Sequence, residues 1–192
     1  MTSECTGRIT ISKSDLNRAL SDLSRSVDQY LEIQALFNQH RHENSLGSKF
    51  KKRFRNFYKL RGTSEWQDDY FKCLHEARNE DVNFPDVLRA ISKNRLEASF
   101  ASKIVATINP NMPVIDRFVL KNVGLRLPYY YTDDRRGAIH RLYECLISTY
   151  EKYLISSDGM ATVGAFYQRF PQGRKRVTPL KAVDFILWRL RK

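Results

Sequence analysis

The stretch NPNMPVIDRFVLKNVGLRLP, residues 109–128, carries the most informative pattern of this chain. Its acidic residue, Asp116, follows the apolar run 113–115 and precedes Val119 and Val123 on the face of a predicted helix. Aspartate is favoured at a helix N-cap because its side chain accepts backbone N–H bonds that the first turn leaves unpaired. The same placement can hold a carboxylate at the mouth of an apolar pocket. Asp116 is therefore a candidate cap, a candidate catalytic acid, or both.

Hydrophobic periodicity predicts helices along the rest of the chain, and no segment shows the alternation of a strand. The sequence predicts an all-α fold in two lobes that form one compact unit. One lobe would be built around 62–127, and the other would combine 11–61 with 128–192. The helices are predicted at 14–39, 48–61, 64–78, 83–91, 97–108, 116–123, 133–156, 162–170 and from 178 onward, with a break at 158–159.

The charge balance favours a polyanionic partner. The 192 residues carry a net charge of +12 and the pI is about 9.8, and neutralising phosphates with lysine and arginine releases counterions. The polar N-terminus does not resemble a signal peptide, and no run is long enough to span a membrane. About the first ten residues read as a disordered tail.

The cysteines Cys5, Cys73 and Cys145 lack CxxC spacing, which argues against a disulfide framework or a zinc site and favours a reducing, cytoplasmic location. No His/Asp/Glu set has metal-ligand spacing, and no glycine-rich phosphate loop or serine nucleophile elbow is present. We therefore expect no metal and no cofactor.

Residues 84–127 resemble the helix-hairpin-helix DNA glycosylase (HhH-GPD) superfamily. Two helices with a tight break between them are followed by Pro113, two aliphatic residues, Asp116, Val119 and Lys121, as in the motif of that superfamily. The resemblance implies a DNA partner and a two-lobed helical fold. It also implies that Asp116 is catalytic: its carboxylate would stabilise the positive charge that develops on the sugar, or activate water, as a flipped base departs.

Two departures from the family pattern refine that expectation. The family hairpin is normally Leu-Pro-Gly-Val-Gly, whose glycines let backbone amides approach a phosphate, whereas 93–99 contains no glycine. Asn94 is the residue there that best tolerates a left-handed turn. Family members that also cleave the strand place a lysine where this chain has Ala98, so the resemblance implies a monofunctional glycosylase. Arg117 stands where threonine is common in the family.

Other residues are candidates for contacts around such a site. Lys103 and Tyr131 are candidates for a pocket rim, Tyr131 because 129–131 could stack on an unpaired base. Lys103 can equally be a structural ion-pair partner, and the tyrosines can cover the edge of a core. The segments 100–103 and 183–188 also resemble uncharacterised bacterial proteins distantly related to the superfamily. The candidate phosphate contacts are Lys52, Arg55, Arg95 and Arg174.

Two alternatives remain open. The absence of glycine from the hairpin favours a nucleic-acid-binding module that keeps the fold without the chemistry. Arg135 and His140 spell Arg-x4-His, which resembles the ribonuclease motif of the all-α HEPN superfamily. That resemblance implies a ribonuclease in which Arg and His from two subunits act on the RNA 2′-hydroxyl and phosphate.

Overall fold

The computed structural model of the protein describes residues 5–40, 43–93 and 95–190. In these ranges the chain forms ten α-helices and no strand, which confirms the predicted all-α class. None of these helices is both long enough and apolar enough to cross a membrane. The helices are α1 (Lys13–Ser21), α2 (Ser24–Gln39), α3 (Ser48–Tyr58), α4 (Ser64–Glu76), α5 (Phe84–Ile91), α6 (Ala98–Ile108), α7 (Arg117–Asn122), α8 (Arg135–Leu154), α9 (Ser157–Arg169) and α10 (Pro179–Arg189).

The chain divides into two compact units. Arg25–Asn109 forms one, which we call the continuous unit, and Met1–Ser24 with Pro110–Lys192 forms the other, which we call the split unit. These bounds differ from the predicted lobes, 62–127 and 11–61 with 128–192. The reason is packing that sequence spacing does not reveal: α2 and α3 share an aromatic core with α4, and α7 packs against α10.

Aromatic side chains build the core of the continuous unit. Phe50 and Phe54 on α3 are fully buried, as their helical spacing predicts. The ring of Phe50 lies 5.8 Å from that of Phe37 on α2 and 6.3 Å from that of Phe71 on α4. Each such aromatic pair adds about 0.5–1.5 kcal/mol beyond area burial. The lysines and arginines of α3 therefore lie on the rest of its surface.

The core of the split unit is built around α10. This helix contacts α1, α7, α8 and α9, and Thr178 caps it by accepting a bond from the N–H of Lys181 (3.2 Å). Proline at the first helical position suits this start, since its missing N–H would have no partner there. The rings of Phe166 and Phe185 stack with centroids 6.2 Å apart, joining α9 to α10.

The predicted helix 14–39 is wrong, because two helices replace it. α1 ends at Asp22, whose N–H donates to the carbonyl of Ala19 (3.2 Å), and α2 begins at Ser24. Serine and aspartate compete with the backbone for hydrogen bonds and favour helix ends. The three- and four-residue hydrophobic spacing continues through the buried Leu23, so periodicity conceals the break.

The predicted break at 158–159 is also wrong. Ser156 caps α9 by accepting a hydrogen bond from the N–H of Gly159 (3.1 Å). Asp158 and Gly159 therefore lie in the first turn of that helix instead of breaking it. A Cβ on Gly159 would stand 1.9 Å from the carbonyl oxygen of Tyr153. Glycine is therefore required here by the close approach of α8 to α9, not by a turn.

The N-terminal segment packs against α8 instead of forming a tail. Cys5 and Cys145 form a disulfide with Cα atoms 5.2 Å apart, and Ile9 is buried. A Cβ on Gly7 would lie 2.3 Å from the side-chain oxygen of Thr149. The prediction of a ten-residue disordered tail is thus wrong from residue 5 onward. The prediction that the cysteines form no disulfide is also wrong, because two cysteines 140 residues apart leave no spacing signal in the sequence.

Candidate functional site

Asp116 caps α7, as its position in the sequence predicts. Its backbone is extended (φ −128°, ψ 147°), and its Oδ1 accepts a hydrogen bond from the N–H of Phe118 (2.8 Å). The carboxylate is half-buried, and the preceding run 113–115 is buried. A cap of this kind uses one of two carboxylate oxygens, so capping and electrostatic action on a ligand are compatible.

A buried polar network lies in the same unit. The Tyr150 hydroxyl donates to Oδ1 of Asp184 (2.9 Å), and Lys181 Nζ donates to Oδ2 of the same carboxylate (2.8 Å). The Lys181 and Asp184 side chains are only 3% and 9% exposed. Buried charges are tolerated when they are paired and hydrogen-bonded, and here both conditions hold.

The network reaches the segment that carries Asp116. The Tyr143 hydroxyl donates to the carbonyl of Pro113 (3.1 Å). Burial raises the pKa of Tyr150 well above its ordinary value, and the charges of Asp184 and Asp116 raise it further. Tyr150 therefore stays protonated at neutral pH and lies within electrostatic reach of Asp116.

The sequence prediction missed the residues of this network. Lys181 and Asp184 stand three apart in the helix 179–189, whose other positions up to 187 are largely apolar and buried. Two opposite charges three residues apart, on a helix that is otherwise largely apolar on all sides, could have indicated a buried ion pair. The tyrosines of α8 give no such signal, because a buried tyrosine is common in a core.

Lys103 is buried in α6 of the continuous unit. It is 8% exposed, its Nζ donates to the carbonyl of Tyr58 (3.2 Å), and it lies 4.5 Å from the centroid of the Phe100 ring. Tyr58 ends α3, where backbone carbonyls lack helical partners and attract a cation. The side chain therefore stabilises the end of α3, and its place at a pocket rim stays a prediction.

Two candidate phosphate contacts lie on α3. Lys52 is exposed, whereas Arg55 is half-buried with its guanidinium 5.2 Å from the centroid of the Phe71 ring. Lys49 and Arg53 on the same helix lie within ion-pair distance of Glu32 (3.7 and 3.0 Å). The positive charge of α3 is thus partly balanced within the unit.

The predicted hairpin joins α5 to α6, and the two helices pack together. Asn83 caps α5, and Ser92 accepts a bond from the N–H of Glu97 (3.1 Å). Lys93 pairs with Asp69 and Arg95 with Glu97, and each carboxylate raises the pKa of its cation. Asn94 lies outside the described residues.

The remaining predicted residues are solvent-exposed in the split unit. Arg174 follows a 3₁₀ turn, Pro171–Gly173, and its side chain is exposed. Tyr131 is 92% exposed in the loop between α7 and α8. The split unit thus carries Asp116, Tyr131 and Arg174, and the continuous unit carries Lys52, Arg55, Arg95 and Lys103.

Arg135 and His140 both lie on α8. The guanidinium of Arg135 is 5.4 Å from the centroid of the Tyr130 ring. His140 Nε2 lies 3.4 Å from a carboxylate oxygen of Glu144 on the next turn. Arg135 thus contacts an aromatic ring and His140 lies beside a carboxylate.

No family model, curated protein or solved structure matches this chain. Across 5–40, 43–93 and 95–190, no three His, Cys, Asp or Glu residues come together as a metal site would require. The site is therefore interpreted from its own residues.

Proposed function

We propose that this protein binds DNA and hydrolyses the N-glycosidic bond of a damaged or modified base, with Asp116 as the catalytic acid residue. The observation that carries the proposal is the placement of the Asp116 carboxylate. It is half-buried at the start of α7, directly after the buried run 113–115, and its Oδ1 is held by the N–H of Phe118. Partial desolvation strengthens the field of a carboxylate on a developing sugar cation.

The surroundings of Asp116 support a fixed carboxylate. Tyr143 holds the carbonyl of Pro113, and the N–H of Phe118 holds Oδ1, so the chain is anchored on both sides of the residue. A preorganised charge costs no reorganisation when the transition state forms. The protein needs no lysine nucleophile for this reaction, which agrees with Ala98 at the position of the strand-cleaving lysine.

The net charge of +12 supports a DNA partner. Exposed Lys52 and Arg174 are candidate phosphate contacts. Arg95 pairs with Glu97, but its own side chain is 70% exposed, so a phosphate can reach the guanidinium from solvent.

The first experiment measures binding of a transition-state mimic, so that the identity of the base is not needed. Duplexes would carry either a cationic pyrrolidine abasic analogue or its neutral tetrahydrofuran counterpart. We expect wild type to prefer the cationic duplex by about tenfold or more, because catalysis requires tighter binding of the transition state than of the ground state. Asp116→Asn should lose this preference while keeping the helix cap, since asparagine caps as well as aspartate.

The control is Asp158→Asn, which removes an exposed carboxylate from the first turn of α9 in the same unit. It should keep the preference. Base release would then be measured on duplexes with uracil, oxidised, alkylated and phage-type modified bases, followed by alkali. Strand breaks that need alkali and wild-type Asp116 support the proposal. Equal affinity for both abasic analogues, with salt-sensitive DNA binding intact, would overturn it in favour of a non-catalytic binding module.

A further inference from the structure

A pocket of about 360 Å³ opens within the split unit, and Asp116 is not among the residues that line it. Its wall combines the N-terminal segment at Cys5 and Thr6, the loop 125–132, and α8. The volume lies within the range of about 300–1,000 Å³ typical of small-ligand sites. The pocket is therefore large enough to enclose a small molecule or one residue of a polymer.

Two arginines line this pocket. Arg126 comes from the loop and Arg141 from α8. Arg141 lies 3.5 Å from Asp134, and both side chains are more than half exposed. A solvent-exposed pair of this kind is worth about 0–1 kcal/mol, so an incoming anion can replace the carboxylate. Guanidinium groups bind phosphate through two parallel N–H bonds, so a phosphate matches the donors of both arginines.

One exposed aromatic ring lines the pocket, and two more follow it directly in the chain. Tyr129 lines it, and Tyr129, Tyr130 and Tyr131 are 69%, 68% and 92% exposed. Three consecutive exposed rings are unusual on a soluble surface and mark an interaction site. Stacking on such rings is worth about 1–3 kcal/mol per base.

Arginines lie against two of these three rings. The Arg126 guanidinium lies 5.3 Å from the centroid of the Tyr129 ring and donates to its hydroxyl (3.2 Å). Arg135 lies 5.4 Å from the centroid of the Tyr130 ring. Ordering the rings in advance lowers the entropic cost of binding a flat ligand.

We propose that this pocket binds a nucleotide, with the phosphate on Arg126 and Arg141 and the base against the ring of Tyr129. The proposal does not depend on catalysis by Asp116. The nucleotide can come from two sources, a free mononucleotide or an unpaired nucleotide of a nucleic-acid strand. In the second case Tyr131, the most exposed ring, takes the neighbouring base.

The test is calorimetric titration of the full chain with deoxynucleoside 5′-monophosphates. Two partial ligands serve as comparisons: nucleosides lack the phosphate, and deoxyribose 5-phosphate lacks the base. We expect each to bind about tenfold or more weakly than the nucleotide, because each loses one of the two contacts. Equal binding of deoxyribose 5-phosphate and nucleotide would overturn the base contact, and the absence of nucleotide binding would overturn the site.

Variants separate the site from the general positive charge of the protein. Arg141→Gln should weaken nucleotide binding about tenfold or more, and Arg126→Lys should weaken it too, since lysine keeps the charge but lacks the two-pronged donor. Arg136→Gln, an exposed change on the same helix outside the pocket lining, is the matched control and should bind as wild type. An equal loss in Arg136→Gln would show a bulk charge effect and overturn the proposal.

An oligothymidylate distinguishes the two sources. If the site serves a strand, the oligonucleotide binds more tightly than the monomer, and Tyr131→Ala lowers only the affinity for the oligonucleotide. If it serves a free nucleotide, the monomer binds at least as tightly and Tyr131→Ala changes neither affinity. Asp116→Asn should bind nucleotide as wild type does, so failure of the base-excision proposal leaves this test unaffected.

Discussion

Lys181 and Asp184 form an ion pair inside the split unit, one turn apart on α10. Their Nζ and Oδ2 atoms lie 2.8 Å apart, and the second carboxylate oxygen, Oδ1, accepts a hydrogen bond from the hydroxyl of Tyr150. The two opposite charges compensate each other inside the core, so removing one of them leaves the other buried without its ion-pair partner.

We therefore expect Lys181→Met to reduce the free energy of unfolding by about 3–5 kcal/mol, measured by urea denaturation. The matched control is Arg18→Met in the same unit, which breaks a pair with Asp15 at the same spacing but removes a side chain that is 65% exposed. That change should cost less than about 1 kcal/mol. Similar losses in the two variants would contradict a special role for the buried pair.

Two glycines of α9 provide a matched test of the contact between α8 and α9. A Cβ at Gly159 would clash with the carbonyl of Tyr153, whereas a Cβ at Gly164 would meet nothing within 4 Å. Gly164→Ala should raise the free energy of unfolding by about 0.5–1 kcal/mol through helix propensity. Gly159→Ala should lower it, because backbone atoms must move apart. A stabilising Gly159→Ala would refute the close approach.

The disulfide between Cys5 and Cys145 should stabilise the split unit. It closes a long loop, and such a cross-link typically contributes about 2–4 kcal/mol. Cys145→Ser, or reduction of the wild type, should lower the melting temperature accordingly. Cys73→Ser is the control, since Cys73 is the free cysteine of the described chain. Non-reducing mass spectrometry would check the pairing directly, and a protein with three reactive thiols would contradict it.

Alkaline pH should destabilise the protein through its buried tyrosines. Burial raises the pKa of Tyr70, Tyr143 and Tyr150 above the ordinary 10.0. Unfolded tyrosines lose their protons near pH 10, whereas these folded ones keep theirs. Their stabilising contribution is therefore complete below about pH 10 and is lost as the pH rises further, by up to about 1.4 kcal/mol per pH unit for each group.

Urea denaturation between about pH 9 and about pH 11 would measure this decline. Tyr150→Phe should make it shallower, because the substitution removes one of the groups that titrate differently in the two states. A free energy of unfolding that stays constant over this interval would contradict the prediction.

Local chemistry explains which helices the sequence could predict. The caps at Asn83, Asp116 and Thr178 act on neighbouring backbone groups, so their signals lie within a few residues of the helices they start. The all-α class could be predicted because the three- and four-residue spacing of hydrophobic residues is likewise a local signal. The DNA partner and the role of Asp116 in base excision stay predictions that the experiments above address.

Long-range packing explains what the sequence could not reveal. The break at Leu23 is invisible because hydrophobic spacing runs through it, and the disulfide at Cys5 depends on a helix far along the chain. The bounds of the two compact units differ from the predicted lobes for the same reason. The opposite charges at 181 and 184 were visible in the sequence, but their burial depends on the helices that surround α10.

The split unit consists of two separate stretches of the chain, and this determines when each unit can fold during synthesis on the ribosome. All residues of Arg25–Asn109 emerge in one stretch, so that unit can complete its core while translation continues. α1 emerges before that unit, yet Asp22 at its C-terminal end pairs with Arg189, 167 residues later (2.8 Å). A nascent chain interrupted before α10 would therefore carry one finished unit and an amphipathic α1 without its partner helix, which is a natural substrate for chaperones or proteases.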